Sequence, residues 1–422
     1  MADRELNIGF LSTRLAGTDG VSLETAKMAA VCRAMGHAVY YCAGELDADG
    51  PPGMLVPEMH FEHPEARAIH DLAFGNPTGS PGLRARIARS AAFLKERLLA
   101  FLADYGIDLL VAQNVFAIPM QIPLALAARD ALRETGLPAV AHNHDFYWER
   151  ERFRVNRVGD LLHELFPPSL PTLRHLVINS LAQQDLRTRR NIQALVLPNV
   201  FDFDTLAPGI DDYSADLRHA LGIPASAALI LQPTRVIPRK GIELSIELVA
   251  RLNAVSGREH LLVITHRAGD EGLDYLQCLQ ARAAEAEVDL RYVADRFDSF
   301  RGTGPDGRKV YALWDAYPHA DFVTYPSLYE GFGNALVETV YFRQPALVNR
   351  YPVYAADIGP LGFDFIEIDG RLTDAAVEAV AVVLADPHRR QAMVEHNYAL
   401  GLRHFSYDVL RRTLEALLDT LF

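Results

Sequence analysis

Residues 325–338 read Tyr-Pro-Ser-Leu-Tyr-Glu-Gly-Phe-Gly-Asn-Ala-Leu-Val-Glu and place two carboxylates, Glu330 and Glu338, on either side of a glycine turn. A carboxylate has lone pairs for two neighbouring hydroxyls at once. On a helical axis eight residues span about 12 Å, a distance that suits the two ends of a sugar nucleotide, with a sugar hydroxyl at one carboxylate and a ribose at the other. The turn follows an apolar run, Asp321 to Tyr325, read as a buried strand. It enters a helix whose Ala335, Leu336 and Val340 are expected to face inward. Strand, glycine turn and helix together hold phosphate, because the first helical N–H groups lack intrahelical partners and glycine lets the backbone come close. The other reading of the same residues is a helix start whose acidic side chains favour the dipole.

A second group follows the short strand Ala139 to Ala141, as Asn143-His144-Asp145-Phe146-Tyr147-Trp148-Glu149-Arg150. Polar groups at the carboxyl end of a strand in an open α/β sheet are where ligands sit. Arg150, Arg152, Arg154 and Arg157 stand among Tyr147, Trp148 and Phe153. Such a run suits an anionic acceptor. A solvated helix with Glu149 and Glu151 paired to the arginines is the alternative.

Glu-x7-Glu with Gly-Phe-Gly directly after the first Glu resembles the signature of retaining glycosyltransferases of family 4. The resemblance implies an α/β fold of the GT-B kind: two Rossmann-like domains, an interdomain cleft that takes the donor, and a C-terminal helix crossing back to the N-terminal domain. It implies that Arg235 and Lys240, in Pro233-Thr234-Arg235-Val236-Ile237-Pro238-Arg239-Lys240-Gly241, grip the donor diphosphate, with Arg239 pointing away. Charge builds on that diphosphate as the glycosidic bond breaks, and cations with helix N-termini stabilise it. Glu330 and the backbone of Gly331, Phe332, Gly333 and Asn334 would hold the sugar, and Glu338 the ribose. His144 would face the reacting sugar and, with Glu330, form the catalytic pair. Gly20 and Val21 resemble the family's N-terminal glycine loop, which approaches donor phosphate or acceptor. Asp145, Tyr147, Arg150 and Arg152 are the acceptor candidates, and Arg296 and Phe297 the candidates for the base.

The chain also departs from the family. Pro198-Asn199-Val200-Phe201-Asp202 lacks the glycine of the usual Pro-Asn-Gly-Val-Asp segment. Asn349-Arg350-Tyr351-Pro352-Val353-Tyr354 replaces a small glycine-rich turn, which suggests specialised recognition.

The elements that must position these groups follow from periodicity and breakers. Ile8 to Leu11 is a strand, Thr13 to Gly20 a polar loop, Ser22 to Met35 a helix stopped by Gly36, and Ala38 to Cys42 the next strand. Residues 45–80 read as irregular. Asp47-Ala48-Asp49 fits a metal pattern but reads as a solvated loop. Leu83 to Tyr105 and Ile118 to Thr135 are helices, with Asp108 to Ala112 a strand between them. After a linker from Leu197 to about Pro208, Ala228 to Gln232 opens a second Rossmann-like unit. There Ile242 to Asn253 is a helix, His260 to Thr265 a strand, Glu271 to Glu287 a helix and Asp289 to Val293 a strand. Residues 295–309 read as a loop and Val310 to Tyr317 as a helix. Pro345 to Val348 is a strand, and Leu372 to Leu384, Pro387 to Leu402 and Tyr407 to Leu421 close the chain as helices. The expected domains are 1–203 with 405–422, for the acceptor, and 204–404, for the donor.

Bulk properties bound the function. A chain of 422 residues is long for one core, and two domains are the natural expectation. A net charge of −13 argues against nucleic acid and against an anionic lipid surface as partner. The three cysteines, Cys32, Cys42 and Cys278, read as buried thiols of a reducing compartment. The polar N-terminus has no signal h-region and no run reaches membrane length, so the expected location is the cytoplasm. The partners expected are a UDP-, GDP- or ADP-hexose as co-substrate and a small soluble acceptor, a sugar, sugar phosphate or glycerate derivative, with no cofactor and no metal. A phosphorylase using inorganic phosphate, an epimerase on the same scaffold and a non-catalytic sugar-binding protein are the alternatives. The retained Glu338 counts against the phosphorylase, which needs no ribose contact.

Overall fold

The computed structural model describes residues 5–17, 19–74, 82–268 and 272–422. The chain divides into two compact units, Met1–Val200 with Tyr407–Phe422, and Phe201–Ser406.

The first unit is built on strands β1 (Asn7–Leu11), β2 (Ala38–Ala43), β3 (Gly53–Leu55), β4 (Leu109–Gln113), β5 (Ala139–Asn143), β6 (Leu173–Val177) and β7 (Ala194–Val196). They form one parallel sheet in the order β3-β2-β1-β4-β5-β6-β7. Its helices are α1 (Gly20–Ala34), α2 (Pro64–Phe74), α3 (Leu83–Asp104), α4 (Ile122–Thr135), α5 (Gly159–Leu165) and α6 (Ser180–Arg190). Side chains of a strand alternate between faces, and a parallel sheet buries both. Accordingly Leu109 and Val111 of β4 join Ile8 and Phe10 in one core, while Leu110 and Ala112 join Leu11 and the α3 residues Leu94, Leu98 and Phe101 in another. Gly9 lies under Phe101, where a Cβ would come within 2.8 Å of the ring.

The second unit has a parallel sheet in the order β10-β9-β8-β14-β15-β16, from β8 (Ala228–Gln232), β9 (His260–Ile264), β10 (Leu290–Tyr292), β14 (Phe322–Tyr325), β15 (Ala346–Asn349) and β16 (Ile366–Ile368). Short strands β11 (Phe297–Asp298), β12 (Gly302–Thr303) and β13 (Lys309–Ala312) make a separate small sheet. The helices are α7 (Leu217–Ala220), α8 (Ile242–Val255), α9 (Asp274–Glu285), α10 (Asn334–Tyr341), α11 (Asp374–Ala385) and α12 (Pro387–Phe405). Ile242, Ile246 and Val249 of α8 and Val377 and Val380 of α11 pack with Ile230, Leu262, Phe322 and Leu347 of the strands. The last helix, α13 (Tyr407–Leu421), returns to the first unit, where Leu410, Leu414 and Leu417 share a core with Ile8, Met28 and Leu176. No helix among the described residues is long and apolar enough to cross a membrane.

Several sequence expectations are corrected. Residues 45–80 are not irregular throughout, since they hold β3, whose backbone pairs with β2, and α2, which buries Ala66, Ile69 and Ala73; residues 75–80 lie outside the description. The loop expected at 295–309 contains β11, β12 and the start of β13. The helix expected at 310–317 is β13 followed by a 3-10 helix, Leu313–His319. Pairing of three short strands overrides the local helical spacing there. Cys32 and Cys42 are buried, but Cys278 is exposed on α9. The expected start of the helix at Glu271 also lies outside the description.

Candidate active site

In each unit the sheet order reverses direction between two adjacent central strands, β1 and β4 in the first and β8 and β14 in the second. Such crossover points leave a crevice at the carboxyl ends of the strands, where open α/β sheets bind ligands. The residues singled out by chemistry fall in the loops that leave those ends.

In the second unit the loops after β8 and β14 are stitched together. Leu328 N–H donates to the Arg239 carbonyl at 2.8 Å. Gly241 has φ +59°, and a Cβ there would sit 2.6 Å from the Pro326 carbonyl oxygen, so glycine permits the contact. The two loops bring Lys240 and Glu330 into a buried ion pair through Nζ and Oε1. Arg239 does not point away: its Nη1 donates to Glu330 Oε2 at 2.9 Å and to the Tyr329 carbonyl at 2.9 Å. Burial pushes the Glu330 carboxyl up, but Lys240 and Arg239 outweigh it and hold the group below its ordinary value, ionised. Burial holds the Lys240 ammonium below its ordinary value, against the pull of Glu330. Arg235 is exposed at the head of the same loop, and its charge reaches Lys240 and His266. His266, beyond β9, is kept neutral to about pH 4 by burial, with Lys240 and Arg235 adding to the effect.

Past Glu330 the chain turns through Gly331, Phe332 and Gly333 into α10. Gly333 caps the helix without a side chain at φ +128°. A Cβ there would lie 2.5 Å from the Tyr351 hydroxyl oxygen. Tyr351 is buried and donates to the Phe332 carbonyl at 2.6 Å, while Asn349 Nδ2 donates to the Ser327 carbonyl at 3.0 Å. The 349–354 segment therefore braces the glycine turn from beneath. Tyr354, also buried, donates to Glu367 at 2.6 Å. Glu338, on α10 with Asn334 at its start, accepts from the Tyr317 hydroxyl at 3.0 Å. Leu336 and Val340 are buried and Ala335 half-buried, so the inward face matches the spacing.

In the first unit His144 follows β5. Asn114, at φ +59° after β4, accepts from the His144 N–H at 3.0 Å and donates to Asp145 Oδ1 at 3.2 Å. Arg150 closes on Asp145 Oδ2, with Nε at 2.6 Å. The His144 ring lies 4.5 Å from that of His142, whose Nδ1 meets Gln113 Oε1 at 3.0 Å. Burial holds His144 below its ordinary value, while Glu24, Asp145 and Asp19 act the other way. Gly20 and Val21 form the first turn of α1, where Asp19 is the N-cap and accepts from Val21 N–H at 3.0 Å and Ser22 N–H at 3.2 Å. Arg14 steadies Asp19 at 3.0 Å. Arg152 is exposed and lies over the Phe153 ring, and Tyr147 stands edge-on to Trp148. The stretch is not one solvated helix: it holds two short 3-10 turns, Tyr147–Glu149 and Glu151–Phe153, and Arg154 and Arg157 follow in irregular backbone.

The remaining candidates have structural duties. Arg296 donates to the Lys309 carbonyl at 3.0 Å, tying β13 to the turn before β11, and Phe297 is buried. Asp47 accepts from Gly17 N–H at 3.2 Å through both oxygens.

Asn114, Arg239, Tyr317 and Tyr351 carry no recognisable spacing. Arg239 had one local signal, its place next to Lys240. Tyr317 and Glu338 stand 21 residues apart on either side of β14, and Tyr351 reaches Phe332 from just past the end of β15, which pairs with β14.

No family model matches the chain. The mannosylglucosylglycerate synthase of Thermotoga maritima is 33% identical over 436 aligned residues, which cover 94% of this chain and 96% of that protein. The protein of the same name from Petrotoga mobilis is 29% identical over 392 residues, 87% of each chain. Among solved structures, the sucrose-phosphate synthase of Thermosynechococcus elongatus superposes with a TM-score of 0.68 at 15% identity over 99% of both chains, a likeness of fold. By its relatives, its two parallel-sheet units and its Glu-x7-Glu stretch, the chain belongs to the mannosylglucosylglycerate synthase family of GT-B, family 4 type glycosyltransferases.

Proposed function

We propose that this glycosyltransferase moves a mannosyl group from a nucleoside-diphosphate sugar to the glucosyl group of a glucosylglycerate, or to a similar small glycerate-bearing acceptor, with retention at the anomeric carbon. The acceptor and sugar rest on the name shared by the two relatives. The chemistry rests on one observation: a buried, ionised Glu330 held by Lys240 at the β8/β14 crossover, with Glu338 fixed by Tyr317 on the helix that follows.

In this reading the second unit takes the donor. Lys240 and Arg235 meet the diphosphate, whose growing charge they stabilise as the bond breaks. Glu330 and the backbone of Gly331 to Asn334 hold the sugar, and Glu338 takes the ribose hydroxyls. Lys240 has three N–H donors, so it serves Glu330 and a phosphate oxygen together. The first unit serves the acceptor and the transferred sugar. His144, neutral at pH 7, presents its imidazole as a hydrogen-bonding group without adding charge. Gly20 and Val21 line the same loop region, and Asp145, Tyr147, Arg150 and Arg152 are assigned to acceptor hydroxyls and carboxylate. The acceptor hydroxyl attacks on the face the diphosphate leaves, and a departing phosphate oxygen takes its proton. The nucleotide is a UDP, GDP or ADP carrier, and the reaction is assigned no metal.

The test is transfer itself: UDP-, GDP- and ADP-hexoses with glucosylglycerate, read by nucleoside diphosphate release and by the anomeric configuration of the product. Retained configuration and dependence on Glu330 support the reading. Release of hexose 1-phosphate from a disaccharide and inorganic phosphate would overturn it.

A further inference from the structure

Glu330 poses an electrostatic problem for the donor reading. It is buried and ionised beside Lys240, the cation assigned to the diphosphate. Taken alone, the pair sums to zero charge and offers an incoming anion no net attraction. Tyr325, whose ring lies under the Lys240 ammonium, is held protonated by burial, and His266 is neutral at pH 7, so neither adds positive charge. Arg235 is exposed, so solvent and salt screen it.

Arg239 changes that sum. Its guanidinium meets the second oxygen of Glu330 at 2.9 Å and the Tyr329 carbonyl at 2.9 Å, both through Nη1. Its own carbonyl accepts from Leu328 N–H at 2.8 Å, which fixes the backbone beneath the side chain. Lys240 takes Oε1 and Arg239 takes Oε2, so the cluster carries two cations against one anion. A carboxylate shared by two cations leaves each of them less neutralised than an exclusive pair would.

Resting on the donor reading, we propose that Arg239 is a positioning residue that offsets the charge of Glu330, leaving Lys240 free to attract the donor diphosphate. It also holds the Glu330 carboxylate in place for the sugar. It is assigned no contact with the donor.

The experiment measures binding of the free nucleoside diphosphate, so that the sugar contacts of Glu330 do not enter. The base is whichever of UDP, GDP and ADP binds the wild-type chain. Arg239→Gln should weaken that binding about tenfold or more at low salt, from the loss of one nearby charge, and should leave the uncharged nucleoside unaffected. Arg239→Lys should keep most of the affinity. The decisive variant is the double one. Arg239→Gln with Glu330→Gln restores the net charge and should bring the affinity back to near wild type, whereas loss of a purely structural contact would not be rescued. Wild-type affinity in Arg239→Gln would overturn the proposal. So would equal loss for nucleoside and diphosphate, or no rescue in the double variant. Thermal unfolding of each variant shows that it is folded, and the double variant still reports if Arg239→Gln alone folds poorly. If the wild type binds none of the three diphosphates, or Lys240→Met binds as well as wild type, it is the donor reading that fails. Loss in Lys240→Met with none in Arg239→Gln sinks only the role of Arg239.

Discussion

The Tyr317 hydroxyl donates to Glu338 Oε2 at 3.0 Å, and its ring lies flat on Phe342 with centroids 4.6 Å apart and planes 2° from parallel. A buried phenol with a fixed ring plane points its hydroxyl in one direction. Glu338 is thereby steadied through Oε2. Tyr317→Phe keeps the stack and removes the bond. Losing a hydrogen bond to a charged acceptor costs about 1.5 kcal/mol, which corresponds to a donor KM about tenfold higher. The expectation is that KM rises while kcat changes little, read by steady-state kinetics in the donor. An unchanged KM would remove Tyr317 from the site.

Gly333 answers to Tyr351 in the same way. At φ +128° and with the Tyr351 oxygen 2.5 Å from a would-be Cβ, alanine at 333 is both strained and crowded. Gly333→Ala should destabilise the chain by about 1–3 kcal/mol and sharply reduce activity, while Tyr351→Phe should cost about 1 kcal/mol from the single lost hydrogen bond. Denaturant midpoints of the two variants check the order. Gly333→Ala at wild-type stability would contradict the crowding.

This brace shows where the sequence was legible and where it was not. The Rossmann-like order, the glycine turn and the Glu-x7-Glu spacing are local patterns, and the folded chain bears out the buried strand before the turn and the inward face of α10 after it. The 349–354 segment suggested recognition because its aromatic residues replace a small turn. In the folded chain Tyr351 and Tyr354 are buried and bond the Phe332 carbonyl and Glu367, a structural role that the sequence did not show. Arg239 was misplaced because spacing along a loop says nothing of which way a side chain leaves it. The small β11–β13 sheet escaped because strands of two to four residues carry too few side chains for a period to show.

Asn114 offers a test in the first unit. It sits at φ +59° and bridges the His144 N–H to Asp145. Glycine accepts that backbone at little cost, so Asn114→Gly isolates the side chain. The expected result is a kcat about tenfold lower, with stability reduced by about 1–2 kcal/mol, both from the two lost hydrogen bonds near His144. Asn114→Ala should lose activity likewise and be about 1 kcal/mol less stable than Asn114→Gly, from the left-handed backbone. Full activity in Asn114→Gly would detach this bridge from the reaction.

Buried histidines set the acid limit. Burial lowers His175 to about 4, although its Nε2 meets the Pro168 carbonyl at 3.1 Å. His266 is lowered to about the same value, also by burial. The unfolded chain takes up these protons near the ordinary histidine value of 6.5, but the folded chain does so only near 4. Between those values the unfolded state binds more protons, so stability falls as pH falls. Above about pH 7 these groups contribute no slope. Denaturant midpoints at pH 7.5, 6 and 5 should decline in that order, and His175→Gln should flatten the decline if it folds. A midpoint that rises toward pH 5 would contradict the assignment.

The most direct measurement is the anomeric outcome of transfer. With an α-linked nucleoside-diphosphate mannose as donor and glucosylglycerate as acceptor, proton NMR of the product should show an α-mannosyl linkage formed as nucleoside diphosphate is released. The product should disappear in Glu330→Ala and be much reduced in Glu338→Ala. A β-linked product, or undiminished transfer in Glu330→Ala, would contradict the account.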